Sequence, residues 1–211
     1  MELPRAVSFD LSLGELQALV SKAARGAGRS FGMAEEAGRA ARWLTERGGN
    51  GAGAVARLLE LTDGADMARL SPELPGMTCR GRAMCPLILG AYLSDTGRLP
   101  EGPVGPVLEP LILAPFLADL TGVDGVRADW GEGAFGITGD GDLTGETGSA
   151  AARVLTLSAG ALPGTAHGRR RRARVVPPAY TILMTLAART YAPATEESRA
   201  RGAGAGLIDS D

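Results

Sequence analysis

Lysine and histidine are almost missing from this chain, and cysteine and aromatic residues are scarce. Among 211 residues Lys22 is the one lysine, His167 the one histidine, cysteine occurs twice and aromatics make up 4%. A single histidine excludes multi-histidine metal sites and leaves little of the commonest general base. A lysine Schiff base would have to use Lys22. Cys79 and Cys85 lack further Cys or His at metal-ligand spacing, which argues against zinc. Two cysteines in a chain of this size read as reduced thiols, and a cytoplasmic location is the expectation. The start, MELPRAVSFDLS, has no charged-then-apolar leader pattern. The uncharged stretch Val175–Ala188 is 14 residues, too short to span a bilayer.

What is present is ordinary in bulk and unusual in detail. Apolar residues are 45% and charged residues 22%, with a formal net charge of −2. That balance suits a globular protein and argues against a generally basic nucleic-acid binder or an acidic disordered chain. Glycine is 31 of 211, about twice the ordinary usage of ~7%. With so few aromatics, the core has to be built from Leu, Val, Ala and Ile.

Local signals divide the chain. Ser12 and Glu15 form an S-x-x-E capping box. Leu13, Leu16, Val20, Ala23, Ala24 and Ala27 then recur at helical spacing, and Gly26 and Gly28 close the helix. Ser30 opens a second helix running through Trp43 and Leu44 to Gly48–Gly49. Its small-residue stripe, Ala34, Gly38 and Ala41, predicts a close helix–helix approach. A third helix is expected over Ala54–Leu61. Residues 62–82 read as loop. Cys85–Ser94 and Val107–Leu120 read as short helices or edge strands, the second broken by Pro110 and Pro115. From Gly122 the pattern is β-like, with strands expected at Val126–Trp130, Ala134–Thr138, Arg153–Ser158 and Arg172–Val176. Pro177–Pro178 open a last helix to about Thr190. The expectation is an α+β fold, with a helical unit over 1–61 and a mixed remainder over 62–211 sharing one core.

Most motifs have a plain structural reading. Asp140, Asp142 and Thr144 stand at the first oxygen positions of a calcium loop, with Gly145 at the turn, but Ala151 occupies the position needing a bidentate Glu, so a glycine-rich hairpin is expected. Arg169–Arg172 and Arg174 lack interleaved aromatics and read as a solvated strand or loop, with His167 beside them on the surface. Lys22, Arg25, Arg29 and Arg39 read as solvated helix faces, with an anion cleft as the sharper option.

The C-terminal segment carries more pattern. Thr195, Glu196, Ser198, Arg199 and Arg201 precede glycines at every second position, Gly202, Gly204 and Gly206, and then Asp209 and Asp211. Alternate glycines let backbone amides converge on an anion. Arg199 or Arg201 could clamp a carboxylate or phosphate, and Glu196 or Asp209 could act as a base. Two functions follow from these residues. One is a non-catalytic small-anion-binding or accessory protein working beside a metabolic enzyme. The other is a cofactor-independent enzyme using the Arg and carboxylate groups of this segment on a small anionic metabolite. No cofactor and no metal are expected; a small anion or a protein is the expected partner, and nucleic acid and membrane are not.

Two resemblances add to this. The runs K-A-A-R-G-A-G (Lys22–Gly28), G-M-A-E-E-A-G (Gly32–Gly38), R-W-L (Arg42–Leu44) and C-P-L-I-L-G-A (Cys85–Ala91), with the ending Y-A-P-A-T-E-E-S-R and G-A-G-A-G-L, resemble an uncharacterised bacterial family known as a domain of unknown function. The first 58 residues are similar in layout to the malate/L-lactate dehydrogenase family that lacks a Rossmann fold. There an R-G-x-D-S-H-G motif carries the catalytic histidine. Here the segment is Arg47-Gly48-Gly49-Asn50-Gly51-Ala52-Gly53, with Ala52 at the histidine position and Asn50 at the aspartate. This resemblance implies that hydride-transfer activity has been lost.

Overall fold

The computed structural model describes residues 8–74, 76–120, 124–145, 150–160 and 162–191. Its fold is α+β, as the alternation of patterns predicts. β1 (Phe9–Ser12) leads directly into α1 (Leu13–Gly26). The predicted capping box is formed: Ser12 Oγ accepts from the Glu15 N–H at 3.1 Å, and the Glu15 carboxylate accepts from the Ser12 N–H at 2.7 Å. α2 (Phe31–Glu46) begins at the Ser30 cap. α3 (Gly51–Leu61) starts three residues earlier than its apolar spacing suggests, because Asn50 Oδ1 accepts from the Gly53 N–H at 3.1 Å. Its glycines therefore lie inside the helix.

Those glycines are contact points. A Cβ at Gly51 would collide with the Ala41 carbonyl oxygen of α2. A Cβ at Gly38 would collide with Ser21 Oγ and lie 2.8 Å from the Gln17 carbonyl oxygen of α1. The small-residue stripe thus serves the close α1–α2 crossing that it predicts. The last helix, α6 (Pro177–Ala188), returns to the same group and packs on α1 and α3. At that crossing a Cβ at Gly26 would meet the Leu186 carbonyl.

The middle of the chain is α4 (Pro86–Thr96), β2 (Val107–Leu108), a 3-10 turn at Pro110–Leu113 and α5 (Ala114–Ala118). α4 is a regular 11-residue helix, longer than Cys85–Ser94 suggests, because Pro86 sits at its first turn where no amide is needed. β3 (Val126–Asp129), β4 (Ala134–Ile137), β5 (Leu143–Thr144) and β7 (Thr156–Ala159) form an antiparallel sheet in the order β5-β4-β3-β7. The strand expected at Arg153–Ser158 is split. Ala151–Ala152 (β6) pairs with β2, Leu155 bridges Val104, and only Thr156 onward joins β3.

β8 (Arg172–Val175) pairs antiparallel with β1, Phe9 opposite Val175 and Ser12 opposite Arg172. The sequence reading has no strand before α1, since Phe9–Ser12 is too short to show alternation. Phe9 is fixed by stacking on Tyr180 of α6, ring centroids 3.8 Å apart. One continuous cluster of buried side chains runs from Leu16 to Ala187 and includes Phe116, Phe135 and the leucines of α3 and α4. It is built from Ala and Leu, as the low aromatic content requires.

Candidate functional site

The best-defined site lies where α3 ends. Three segments run side by side there. The Gly81 N–H donates to the Arg69 carbonyl at 2.7 Å and the Cys85 N–H to the Leu70 carbonyl at 2.9 Å, so residues 81–85 lie along the 3-10 turn Met67–Leu70. On the other side the Met84 N–H donates to the Pro106 carbonyl, and the Leu108 N–H to the Met84 carbonyl. The strip faces the last turn of α3. Between them is a pocket of about 490 Å³ lined mainly by apolar groups: Leu61, Ala65, Leu70, Ala83 and Leu108, with Thr62 at the end of α3.

Two arginines, Arg69 and Arg82, line this pocket, and neither makes an ion pair among the described residues. The pocket's carboxylate is already engaged: Asp66 Oδ1 accepts from the Ala68 N–H at 3.0 Å, starting the 3-10 turn. The lining therefore combines an apolar wall with two arginines that pair with no carboxylate among the described residues and one carboxylate, Asp66, bonded to its own 3-10 turn.

Two further ion-bearing groups hold the walls. Arg57 of α3 grips Glu109 through both carboxylate oxygens, Nε to Oε1 at 2.6 Å and Nη2 to Oε2 at 2.8 Å. Glu109 is 2% exposed and its φ is +40°, a conformation rare for a side chain of this kind. This pair fixes Leu108, one residue earlier, opposite α3. Behind Thr62 lies Arg29, 3% exposed. Its guanidinium donates to the Thr62 hydroxyl, to the Thr62 carbonyl at 3.2 Å and to the Ala27 carbonyl at 3.2 Å. Burial lowers its pKa, against opposing Coulombic contributions from Cys85 and Asp63.

The other singled-out residues have structural partners. Arg29 is not on a solvated face, contrary to expectation: Gly28, at φ +83°, turns the chain after α1 and carries Arg29 inward. Its three companions are engaged separately. Lys22 lies over the Tyr191 ring, Arg25 over Phe31 at 3.6 Å, and Arg39 binds Glu36 and Asp119. The glycine-rich loop is held by arginines: Arg169 binds Asp142 at 2.7 Å and Arg47 Nε donates to the Gly141 carbonyl at 2.6 Å. No group of three metal-ligating side chains exists among the described residues. His167 is an exposed loop residue whose Nε2 lies 3.0 Å from the Gly145 carbonyl. Both cysteines are free, Cys85 is buried, and burial pushes its thiol pKa up.

The C-terminal candidates Thr195, Glu196, Ser198, Arg199, Arg201, Gly202, Gly204 and Asp209 lie outside the described residues. Sequence reasoning missed Arg69, Arg82, Thr62 and Glu109. Residues 62–82 look like featureless loop, and nothing local marks where that loop lands. Among the described residues no helix is long and apolar enough to cross a membrane.

No curated protein and no solved structure matches the chain. The similarity to the malate/L-lactate dehydrogenase family is not supported, and the C-terminal signature lies beyond the region that does match. Residues 11–85, from β1 to the start of α4 and including Arg29, Thr62, Arg69 and Arg82, match the family described as Protein of unknown function (DUF3726).

Proposed function

We propose that the chain is a binding protein for a small organic anion, and that the pocket at the end of α3 receives it. One observation carries the reading. Arg69 and Arg82 line an apolar pocket of about 490 Å³ with no carboxylate of the described residues paired to either. A volume of that order suits a small ligand, and an apolar lining with a few converging polar groups is the usual make-up of such sites. A larger depression of about 560 Å³ around Met77 and Tyr92 has Glu101 as its charged lining group and offers an anion no cation.

The test is a thermal-shift screen of the full chain against carboxylates, phosphates and nucleotides, on wild type, Arg69→Ala, Arg82→Ala and Arg199→Ala. Ligand at 100 times its Kd stabilises the native state by about 2.7 kcal/mol, a shift of roughly 5–10 °C for a chain of this length. A shift lost in Arg69→Ala or Arg82→Ala and kept in Arg199→Ala supports the α3 pocket. The reverse pattern moves the site to the C-terminal segment, where Glu196, Arg199, Arg201 and Asp209 would carry it. No shift with any anion removes the reading.

A further inference from the structure

We infer that Arg29 is the buried counter-charge of the α3 pocket and that the anion it selects is an aliphatic monocarboxylate. The inference rests on the pocket being the anion site. Arg29 is 3% exposed, and every acceptor it has among the described residues is uncharged: the Ala27 carbonyl, the Thr62 carbonyl and the Thr62 hydroxyl. Its Nε has no partner among the described residues. A guanidinium stays protonated in proteins, so burial leaves a positive charge in place that needs compensation. The acid that acts on it from a distance, Asp63, is taken by Arg189 at 2.7 Å. The thiol of Cys85, the other group acting on it, is held neutral by its own burial. Among the described residues this cation thus has no dedicated anion, and it lies directly behind the pocket.

Thr62 connects the two. It is one of the residues lining the pocket, its hydroxyl accepts from Arg29, and that hydroxyl donates to the Leu58 carbonyl at 2.6 Å. The hydroxyl proton is therefore committed, and Thr62 has none to offer a ligand. Arg29 acts through its field: an anion above Thr62 is favoured over a neutral molecule of the same shape. Arg29 is a specificity-determining residue that need not touch the ligand. The pocket wall fixes the rest of the ligand. Leu61, Ala65, Leu70, Ala83 and Leu108 offer only hydrocarbon, and the lining sets two cations, Arg69 and Arg82, against one carboxylate, Asp66, so a ligand with a single negative end facing the arginines and an aliphatic body fits it.

The probes are isocaproate, its amide isocaproamide, and inorganic phosphate, titrated calorimetrically into the full chain. Wild type is expected to bind isocaproate more tightly than the amide and more tightly than phosphate. Arg29→Gln is expected to lower the isocaproate-to-amide preference about tenfold, the scale of one unit charge acting at reduced dielectric, with amide affinity unchanged. Arg29→Lys is expected to restore most of the preference. A merely structural role would weaken both ligands together, and that result overturns the inference, as does an unchanged preference in folded Arg29→Gln. Should Arg29→Gln fail to fold, Thr62→Val decides: it removes the anchoring hydroxyl, the preference should fall, and an unchanged preference overturns the assignment. Phosphate binding more tightly than isocaproate overturns the ligand class. Wild type binding none of the three defeats the pocket reading itself, a failure distinct from the failure of Arg29's role.

Discussion

Arg57 and Glu109, 52 positions apart, meet in a two-pronged ion pair that ties α3 to the backbone just after β2. The carboxylate is buried while the Arg57 side chain is 45% exposed. Hydrogen bonding to Glu109, more than burial, governs Arg57 and raises its pKa. Removing one partner of a buried pair costs about 3–5 kcal/mol. Because Arg57 keeps access to water, Glu109→Ala is expected at or below the low end of that range, roughly 2–3 kcal/mol. Arg57→Ala is expected to cost more than Glu109→Ala, since it strands a buried carboxylate. Chemical denaturation of the two variants measures the order. A pair worth nothing would leave both at wild-type stability.

The helix crossings yield a second prediction. Gly26→Ala puts a methyl against the backbone of Leu186, which cannot rotate away. Overpacking of this kind costs about 1–3 kcal/mol, against a helix-propensity gain of at most about 1 kcal/mol. The clash should win, and Gly26→Ala should melt lower than wild type. Gly32→Ala is the contrast. Gly32 lies inside α2 with nothing within 4 Å of its would-be Cβ, so propensity acts alone and Tm should rise slightly. Two melting curves decide whether the close α1–α6 approach limits stability.

The same residues show what the sequence discloses. The Ser12–Glu15 box spans three positions, so its geometry is written locally, and the Gly38 stripe announces a crossing because only contact explains a costly glycine there. β1 is invisible for the opposite reason: its partner β8 is some 162 positions away, and four residues hold no period. Arg29 misleads because an arginine between two helices reads as solvated. The turn at Gly28, after α1 has ended, redirects the side chain inward. The α3 pocket is assembled from three segments whose hydrogen bonds are all between distant backbones, a relation that composition and periodicity do not encode. Charge counting locates arginines without saying which are already paired.

Acid should weaken the protein through identifiable carboxylates. Hydrogen bonds from Ser12 hold Glu15 below its usual pKa, and bonds from Arg189 and Arg127 do the same for Asp63 and Asp129. A lowered folded value means stability that is complete above the unfolded pKa, about 4. It is lost as pH falls through the lowered value. Glu15 and Asp63 are exposed and Asp129 is half-buried at the surface, so solvent screens all three and each effect is small. Asp63→Asn should be slightly less stable than wild type near neutrality, match it in acid where Asp63 is protonated anyway, and so flatten the stability–pH slope below about pH 4. Urea titrations of both proteins at neutral and acid pH measure this. An identical slope would show that the Asp63–Arg189 pair is not formed in solution.

The two thiols should react at different rates. Cys79 is partly exposed, while Cys85 is buried at the start of α4 with its thiol pushed to higher pKa by that burial. Only the thiolate is nucleophilic, and it must also be reached. Iodoacetamide on the native chain should therefore label Cys79 first, with Cys85 labelled at the rate of unfolding. Peptide mass spectrometry over time reads the order directly. Equal labelling would mean that the strip 81–85 detaches readily from Leu70, and with it one wall of the pocket.

Calcium provides the last test, because the loop 140–145 offers the oxygens of a calcium site yet commits them elsewhere. Asp142 accepts two bonds from Arg169, at 2.7 and 3.0 Å, and the Gly141 carbonyl accepts from Arg47, whose guanidinium also lies over Trp43 at 4.1 Å. A cation entering there would have to displace two arginines and face their charge at close range, without the bidentate carboxylate that makes such loops tight. Neither calcium nor a chelator should move Tm. Asp142→Asn weakens the Arg169 contact without touching the Arg47 one, so it should lower Tm by a degree or two, the yield of an exposed pair of roughly 0.2–1 kcal/mol. A calcium-dependent rise in Tm lost in Asp142→Asn would instead show that the arginines give way to metal and that the loop is a cation site after all.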